Sequence, residues 1–148
     1  MKKIVICLNL NQKSFDKLKN LKDVISLDCA EITLVHVWSS RSYIYPGNMI
    51  VPFYPNSKQA ELIEVEMKKK LESQLCHFEN TVKKNLTTKV FLSSSPHRDI
   101  VQYLENEHSD LVVCLTPTKN EFKNFFHSSF THYLNTHAPC DVLALRIF

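Results

Sequence analysis

The sequence predicts an α/β fold, in which parallel strands form a central open sheet and helices cover both of its faces. Short apolar runs rich in β-branched residues, typical of strands buried on both sides, alternate along the chain with longer segments that carry apolar residues at helical spacing. Because strand–helix–strand connections are right-handed, this alternation favours a parallel sheet. The 148 residues are enough for one domain with a buried core, which we expect to span residues 1–148.

Two strands and a helix are predicted in the first part of the chain. Lys3–Asn9 is the first predicted strand and Glu31–Trp38 the second. Between them, Ser14–Leu27 has apolar residues on one face and lysines elsewhere, which predicts an amphipathic helix with Ser14 as its N-cap.

The segment Ser39–Pro55 departs from this alternation. It contains Pro46, Pro52 and Gly47, which argue against regular structure, together with several aromatic side chains. Long loops are usually functional or disordered, and disordered segments are poor in aromatic residues. Three interpretations therefore remain: the segment folds back over its own sheet edge, closes over a ligand crevice as a lid, or contacts a second subunit.

The middle of the chain continues the alternation. Asn56–Lys83 is the longest helical pattern, and Thr88–Ser93 is the third predicted strand. Ser95, followed by Pro96 in the first turn, is a favourable start for a helix that extends to about His108.

The C-terminal part combines the features that bind phosphate in many α/β sheets. Asp110–Leu115 is predicted as the fourth strand, a polar loop follows it, and the pair Ser128 and Ser129 begins a helix. Val142–Phe148 is the fifth predicted strand. A strand end that faces a helix N-terminus is the usual place for a phosphate-bearing ligand in this fold class.

Composition excludes several functional classes. A net charge of +3 with 22% charged residues predicts neither a nucleic-acid nor a membrane partner. No apolar run is long enough to span a membrane, and Ile4–Leu8 is too short for a signal peptide, so we expect a cytoplasmic protein. The five cysteines include no Cys-x-x-Cys pair, so a disulfide framework is not expected, and Cys7 and Cys114 are predicted to be small buried residues within strands.

Motifs along the whole chain resemble those of the universal stress protein family. They include Lys3–Asn9, Leu34–Val37 and Ser94–Pro96, and, most specifically, His108–Val113 followed by Ser128-Ser129 and His137–Leu143. The resemblance implies five parallel strands in the order 3-2-1-4-5. It also implies a homodimer formed through the last strands, for which Val142, Leu143, Ala144 and Leu145 are the candidate interface residues.

Many members of this family bind ATP through Gly-x-x-Gly, a later Gly-Ser or Gly-Thr, and an aspartate at the end of the first strand. Glycine lets the backbone approach phosphate closely. Leu115, Thr118 and Ser128 stand at the glycine positions here and Asn9 stands at the aspartate position, so that only the hydroxyl residue Ser129 is retained. The resulting candidate nucleotide-binding residues are Asn9, Val37, Leu115, Thr116, Thr118, Ser128, Ser129 and Phe130.

The sequence contains no pattern that indicates catalysis. His127, His132 and His137 are spaced so that they do not share a helix face, which argues against a metal site. Ser93–Ser95 lacks the glycines of a nucleophile elbow. We therefore predict no catalytic residue and no metal ligand.

Three hypotheses follow for the function. The first is a non-enzymatic stress-response protein that acts as a homodimer through unknown protein partners, without a resident cofactor and without strong ATP binding. The second is a degenerate adenine-nucleotide-binding protein or slow ATPase, with ATP or AMP as its ligand. The third is a redox sensor that uses Cys29 or Cys76, and it requires an exposed thiolate.

Overall fold

The structure is a computed structural model that describes residues 1–39, 44–45, 49–50, 55–78, 80–117 and 128–147. Its strands are β1 (Lys2–Cys7), β2 (Ala30–Ser39), β3 (Ile44–Tyr45), β4 (Met49–Ile50), β5 (Leu86–Ser93), β6 (Leu111–Pro117) and β7 (Asp141–Ile147). Five of them form one parallel sheet in the order β5-β2-β1-β6-β7. Numbered by their order in the chain, these strands have the order 3-2-1-4-5, so the predicted topology is confirmed.

Helices connect the strands and cover the sheet. The helices are α1 (Gln12–Lys19), α2 (Ser57–Glu72), α3 (Asn80–Lys83), α4 (Pro96–Asn106) and α5 (Ser128–His137), with 3₁₀ turns at Leu21–Asp23 and Ser73–His77. Two apolar cores result. Side chains of β1 alternate between them, because successive residues of a strand face opposite sides. Ile4 and Ile6 belong to the first core with residues of α1 and α2, and Val5 belongs to the second core with residues of α4 and α5.

The predicted N-cap of the first helix is wrong. Asn11 is the cap, and its Oδ1 accepts a hydrogen bond of 2.9 Å from the backbone N–H of Ser14. Asparagine caps a helix at least as well as serine. Ser14 instead lies one turn inside α1, where its side chain is fully buried.

Asn56–Lys83 is divided into two α-helices, with a 3₁₀ turn after the first. The Ser73 hydroxyl donates a hydrogen bond of 2.7 Å to the carbonyl of Lys70, a local bond that competes with regular helix geometry. Phe78, with an extended backbone, separates the 3₁₀ turn from α3. Leu71 and Phe78 are nevertheless both buried in the first core, so the apolar face was predicted correctly although the helix was predicted too long.

Only part of Ser39–Pro55 is described. β3 and β4 pair antiparallel, with Ile44 opposite Ile50, so this segment contains a short hairpin where no regular structure was predicted. The lid and interface interpretations concern residues that lie mostly outside the described part of the chain.

The turn that follows β1 is held against β2. The N–H of Leu8 donates to the carbonyl of Val35 at 2.8 Å, and Nδ1 of His36 lies 2.8 Å from the carbonyl of Leu8. Because a carbonyl oxygen only accepts, Nδ1 carries the hydrogen. Burial lowers the pKa of His36, the hydrogen bond to Leu8 opposes this shift, and the positive charge of Lys70 adds to it.

The start of α4 depends on a side chain that sequence reasoning did not select. Ser95 occupies the N-cap position, but its side chain makes no capping hydrogen bond. The hydroxyl of Ser93 accepts a hydrogen bond of 2.9 Å from the N–H of Ser95 and donates one to the carboxylate of Asp99. Ser93, which is only 7% exposed, therefore joins the end of β5 to the first turn of α4.

We expect Ser93→Ala to lower the free energy of unfolding by about 1 to 3 kcal/mol, because it leaves two partly buried polar groups without their partner. Ser95→Ala is the matched control and should change it by less than about 0.5 kcal/mol. Urea unfolding of both variants, followed by circular dichroism, measures the difference. Equal losses in the two variants would show that Ser93 is not the capping group.

We also expect stability to fall as the pH drops from about 7 to about 5. The pKa of His36 is lowered in the folded protein, so the unfolded chain binds the proton more readily, and acid favours unfolding as the pH falls through about 6.5. His36→Asn keeps an N–H near the position of Nδ1 and removes the titration, so the urea midpoint of this variant should change less over that range. His132→Asn, at an exposed position, should keep the wild-type slope; a wild-type slope in His36→Asn as well would assign the effect to other groups.

Candidate functional site

The candidate site lies at the carboxyl end of β1, the central strand of the sheet. β2 lies on one side of β1 and β6 on the other, so strands are added in opposite directions from this point. Crevices of open α/β sheets form at this point, because the connections on either side of it cover opposite faces. A small cavity is found here, lined by Cys7, Leu8, Asn9, Val35, Val37, Cys114, Leu115 and Phe130.

Apolar side chains close most of this crevice. Leu115, Val37 and Phe130 are 5%, 4% and 3% exposed. The ring of Phe130 packs edge-on against the ring of His97 at 5.3 Å between centroids, which ties α5 to the first turn of α4. The cavity that remains has a volume of about 20 Å³. A cavity of this size holds about one water molecule.

Four of the eight predicted nucleotide-site residues meet at this cavity: Asn9, Val37, Leu115 and Phe130. Asn9 is partly buried and lies in the turn after β1, where its carbonyl accepts a hydrogen bond of 2.9 Å from the N–H of Asn11. Leu115, which stands at one of the family's glycine positions, forms part of the cavity wall.

The remaining predicted site residues are described only in part. Thr116 lies in β6, where its backbone is opposite Arg146. Ser128 and Ser129 are the first residues of α5, as predicted, and their side chains are outside the described part of the structure. Thr118 also lies outside the described residues.

Four lining residues were not predicted as part of a site: Cys7, Leu8, Val35 and Cys114. Cys7 and Cys114 are directly opposite each other in β1 and β6, and both contact the second core. The Cys114 side chain, hydrogen-bonded to the thiol of Cys7, raises the pKa of Cys7, and burial raises it further. The sequence predicted both cysteines to be buried; Cys114 is buried, whereas Cys7 is partly buried. Their adjacency depends on the register between two strands that are far apart in the chain, and neither residue type nor local spacing encodes this register.

The candidate dimer residues lie on an edge of the sheet. β7 pairs with β6, and no strand of the described chain pairs with its other side. Val142, Leu143 and Leu145 are partly buried, whereas Ala144 is exposed. β7 therefore presents a strand edge with mainly apolar side chains.

Two further features are absent from the described residues. No group of three histidine, cysteine, aspartate or glutamate side chains in the described part of the chain could hold a metal ion. Within the same residues, no helix has the length and apolar character needed to cross a membrane.

Comparison with solved structures finds the same fold. The universal stress protein UspA from Lactobacillus plantarum is 19% identical, over 98% of this chain and 97% of its own, with a TM-score of 0.60. A universal stress protein from Archaeoglobus fulgidus in complex with dAMP is 13% identical, over 97% of each chain, with a TM-score of 0.58. A family member from Arabidopsis thaliana with AMP bound is 15% identical, over 100% of this chain and 93% of its own, with a TM-score of 0.56.

The comparison with curated protein sequences found no significant match. The sequence model described as "Universal stress protein family" matches residues 1–146, which is nearly the whole chain. Since this match covers nearly the whole chain and agrees with the sheet order, the chain belongs to the universal stress protein family.

Proposed function

We propose that the protein is a non-enzymatic stress-response protein that acts as a homodimer and does not bind ATP strongly. The observation that carries this proposal is the closed crevice. Leu115 is 5% exposed and lies in the cavity wall. It occupies a position at which nucleotide-binding members of the family have glycine.

The size of the space supports this interpretation. Pockets for small-molecule ligands commonly enclose about 300 to 1,000 Å³. The cavity between β1, β2 and β6 leaves about 20 Å³ for water-sized centres, and its walls include Val37 and Phe130. A nucleotide would have to displace Leu115, and the leucine would lose its apolar contacts with the first core.

The second candidate function is nucleotide binding with altered geometry. Solved relatives carry AMP or dAMP, and Asn9 lines the cavity at the position of the family's aspartate. Ser128 begins a helix whose first N–H groups have no partners within that helix, an arrangement that suits a phosphate. This candidate requires Leu115 to move out of the crevice.

Isothermal titration of nucleotide-stripped protein with ATP and AMP separates the two candidates. We expect no measurable heat from the wild type at micromolar protein concentration. Leu115→Gly should bind more tightly than the wild type, because it removes the side chain that fills the crevice. The matched control is Leu145→Gly, which alters the neighbouring strand position but does not line the cavity.

Leu115→Gly should also lose about 2 to 5 kcal/mol of stability, so folding is checked by circular dichroism at the temperature of titration. Micromolar binding by the wild type would overturn the main proposal. An unchanged affinity in folded Leu115→Gly would show that another residue, such as those at the other lost glycine positions, blocks the nucleotide.

The homodimer is proposed from the edge of β7. An unpaired apolar strand edge is prone to pair with another chain, and pairing two copies about a two-fold axis would cover it. Ala144 is the middle residue of Asp141–Ile147, so a two-fold axis near the centre of the strand would place the two copies of Ala144 close together. Like charges on directly opposed strand residues are destabilising.

Sedimentation velocity tests this interface. The wild type should sediment with twice the mass of the chain, and Ala144→Glu should shift the equilibrium towards monomer by at least about tenfold in dissociation constant. Asn135→Glu places the same charge at an exposed position of α5 and should remain dimeric. A monomeric wild type would refute the dimer, and a dimeric Ala144→Glu would place the interface elsewhere.

A further inference from the structure

Cys7 and Cys114 form a facing pair of thiols that the proposed function does not use. They are directly opposite in parallel strands β1 and β6, so their side chains leave the sheet on the same face. Neighbouring strands lie about 4.8 Å apart, and Cα atoms of disulfides are usually about 4.4–6.8 Å apart. The Cys114 side chain is also the largest cause of the raised pKa of Cys7, as expected for two neighbouring thiols.

The other cysteines of the chain are less suitable partners. Cys29 and Cys76 are exposed. Cys140 contacts the second core, but it precedes β7, whose residue Ala144 is the one opposite Cys114. Cys140 interacts electrostatically with Cys7 and Cys114, but it lies before β7 and is opposite neither of them in strand register. Strand register therefore selects Cys7 and Cys114.

The apolar surroundings restrict the chemistry of this pair. Val37 and Phe130 line the same cavity, and burial there disfavours a charged thiolate. A monovalent soft metal ion held by two thiolates would retain one negative charge in this environment. A dithiol and a disulfide are both neutral, so exchange between these two states introduces no buried charge in either of them.

Both thiols border the small cavity, which is the space a reactant would enter. Its volume of about 20 Å³ for water-sized centres excludes bulky oxidants such as a glutathione disulfide. Hydrogen peroxide consists of two oxygen atoms with their hydrogens, and is among the smallest two-electron oxidants of thiols. We therefore expect a small peroxide to reach these thiols more readily than a glutathione disulfide does.

We propose that Cys7 and Cys114 are a reversible thiol–disulfide pair that is oxidised by a small peroxide. The thiolate of one cysteine attacks a peroxide oxygen; a sulfur–oxygen bond forms, the oxygen–oxygen bond breaks, and the hydroxide that leaves takes up the thiol proton to become water. The second sulfur then attacks the sulfenic acid sulfur, which forms the disulfide and releases a second water. Two thiols and one hydrogen peroxide thus give one disulfide and two waters.

Hydrogen peroxide treatment of the purified full chain, followed by alkylation, proteolysis and mass spectrometry, tests the pair. We expect a crosslinked peptide that joins Cys7 to Cys114, with the loss of two hydrogens, and its reversal by dithiothreitol. Because the thiolate is the reactive form and its fraction is small, the rate should rise about tenfold per pH unit below the pKa. Glutathione disulfide at the same concentration should instead modify Cys29 and Cys76.

Variants distinguish this pair from other thiol reactions. Cys29→Ala and Cys76→Ala should retain the crosslink, whereas Cys7→Ala and Cys114→Ala should lose it. The oxidised wild type should also unfold at higher urea concentration than the reduced protein, since the crosslink closes a long loop. No Cys7–Cys114 peptide after complete oxidation of Cys29 and Cys76, or a linkage to Cys140 instead, would overturn the proposal. The wild-type peptide map gives this answer even where Cys114→Ala does not fold.

Discussion

The position of β1 between β2 and β6 is the constraint on which the rest of the structure depends. Ile4 is paired with Ile32 on one side and with Leu111 on the other, so both edges of the first strand are used. Alternation along β1 supplies side chains to both apolar cores, because Ile4 and Ile6 face one and Val5 the other. With the central strand bonded on both edges and buried on both faces, the only direction in which it can present a site is its carboxyl end.

In this chain, buried apolar side chains pack at the carboxyl end of β1. A phosphate site at a strand–helix junction needs backbone without side chains so that N–H groups can reach the anion. The sequence has a single glycine, at position 47, and no glycine is among the residues that line the cavity. Leu115 instead contributes to the first core while Phe130 contributes to the second, so both cores extend to the rim of the crevice. Buried apolar side chains therefore occupy much of this crevice.

Hydrophobic periodicity was enough to predict the five strands of the sheet, because a strand depends on residue type and local spacing. The order of these strands came from the resemblance to the family and not from periodicity. Predictions were less accurate for the hydrogen bonds at helix starts. Asn11 and not Ser14 caps α1, and Ser95 occupies the predicted cap position of α4 although the hydroxyl of Ser93 makes the hydrogen bond there. Which polar side chain lies close enough to bond the helix end depends on the tertiary fold. The break in the long helix at Ser73 likewise depends on a local hydrogen bond that periodicity does not encode. The contact between Cys7 and Cys114 requires strand register, which the sequence pattern did not supply.

The closed crevice and the neutral thiols are consequences of the same low polarity. Phe130 and Val37 line the cavity with apolar surface, and burial disfavours ionisation of Cys7. If Leu115 moved aside to admit a nucleotide, water and phosphate would enter next to both cysteines. Water would lower the pKa of Cys7 by restoring its solvation, whereas the negative charge of a phosphate would raise it. Occupancy of the crevice and protonation of Cys7 would then be linked, and by thermodynamic reciprocity the protonation state of Cys7 would alter nucleotide affinity.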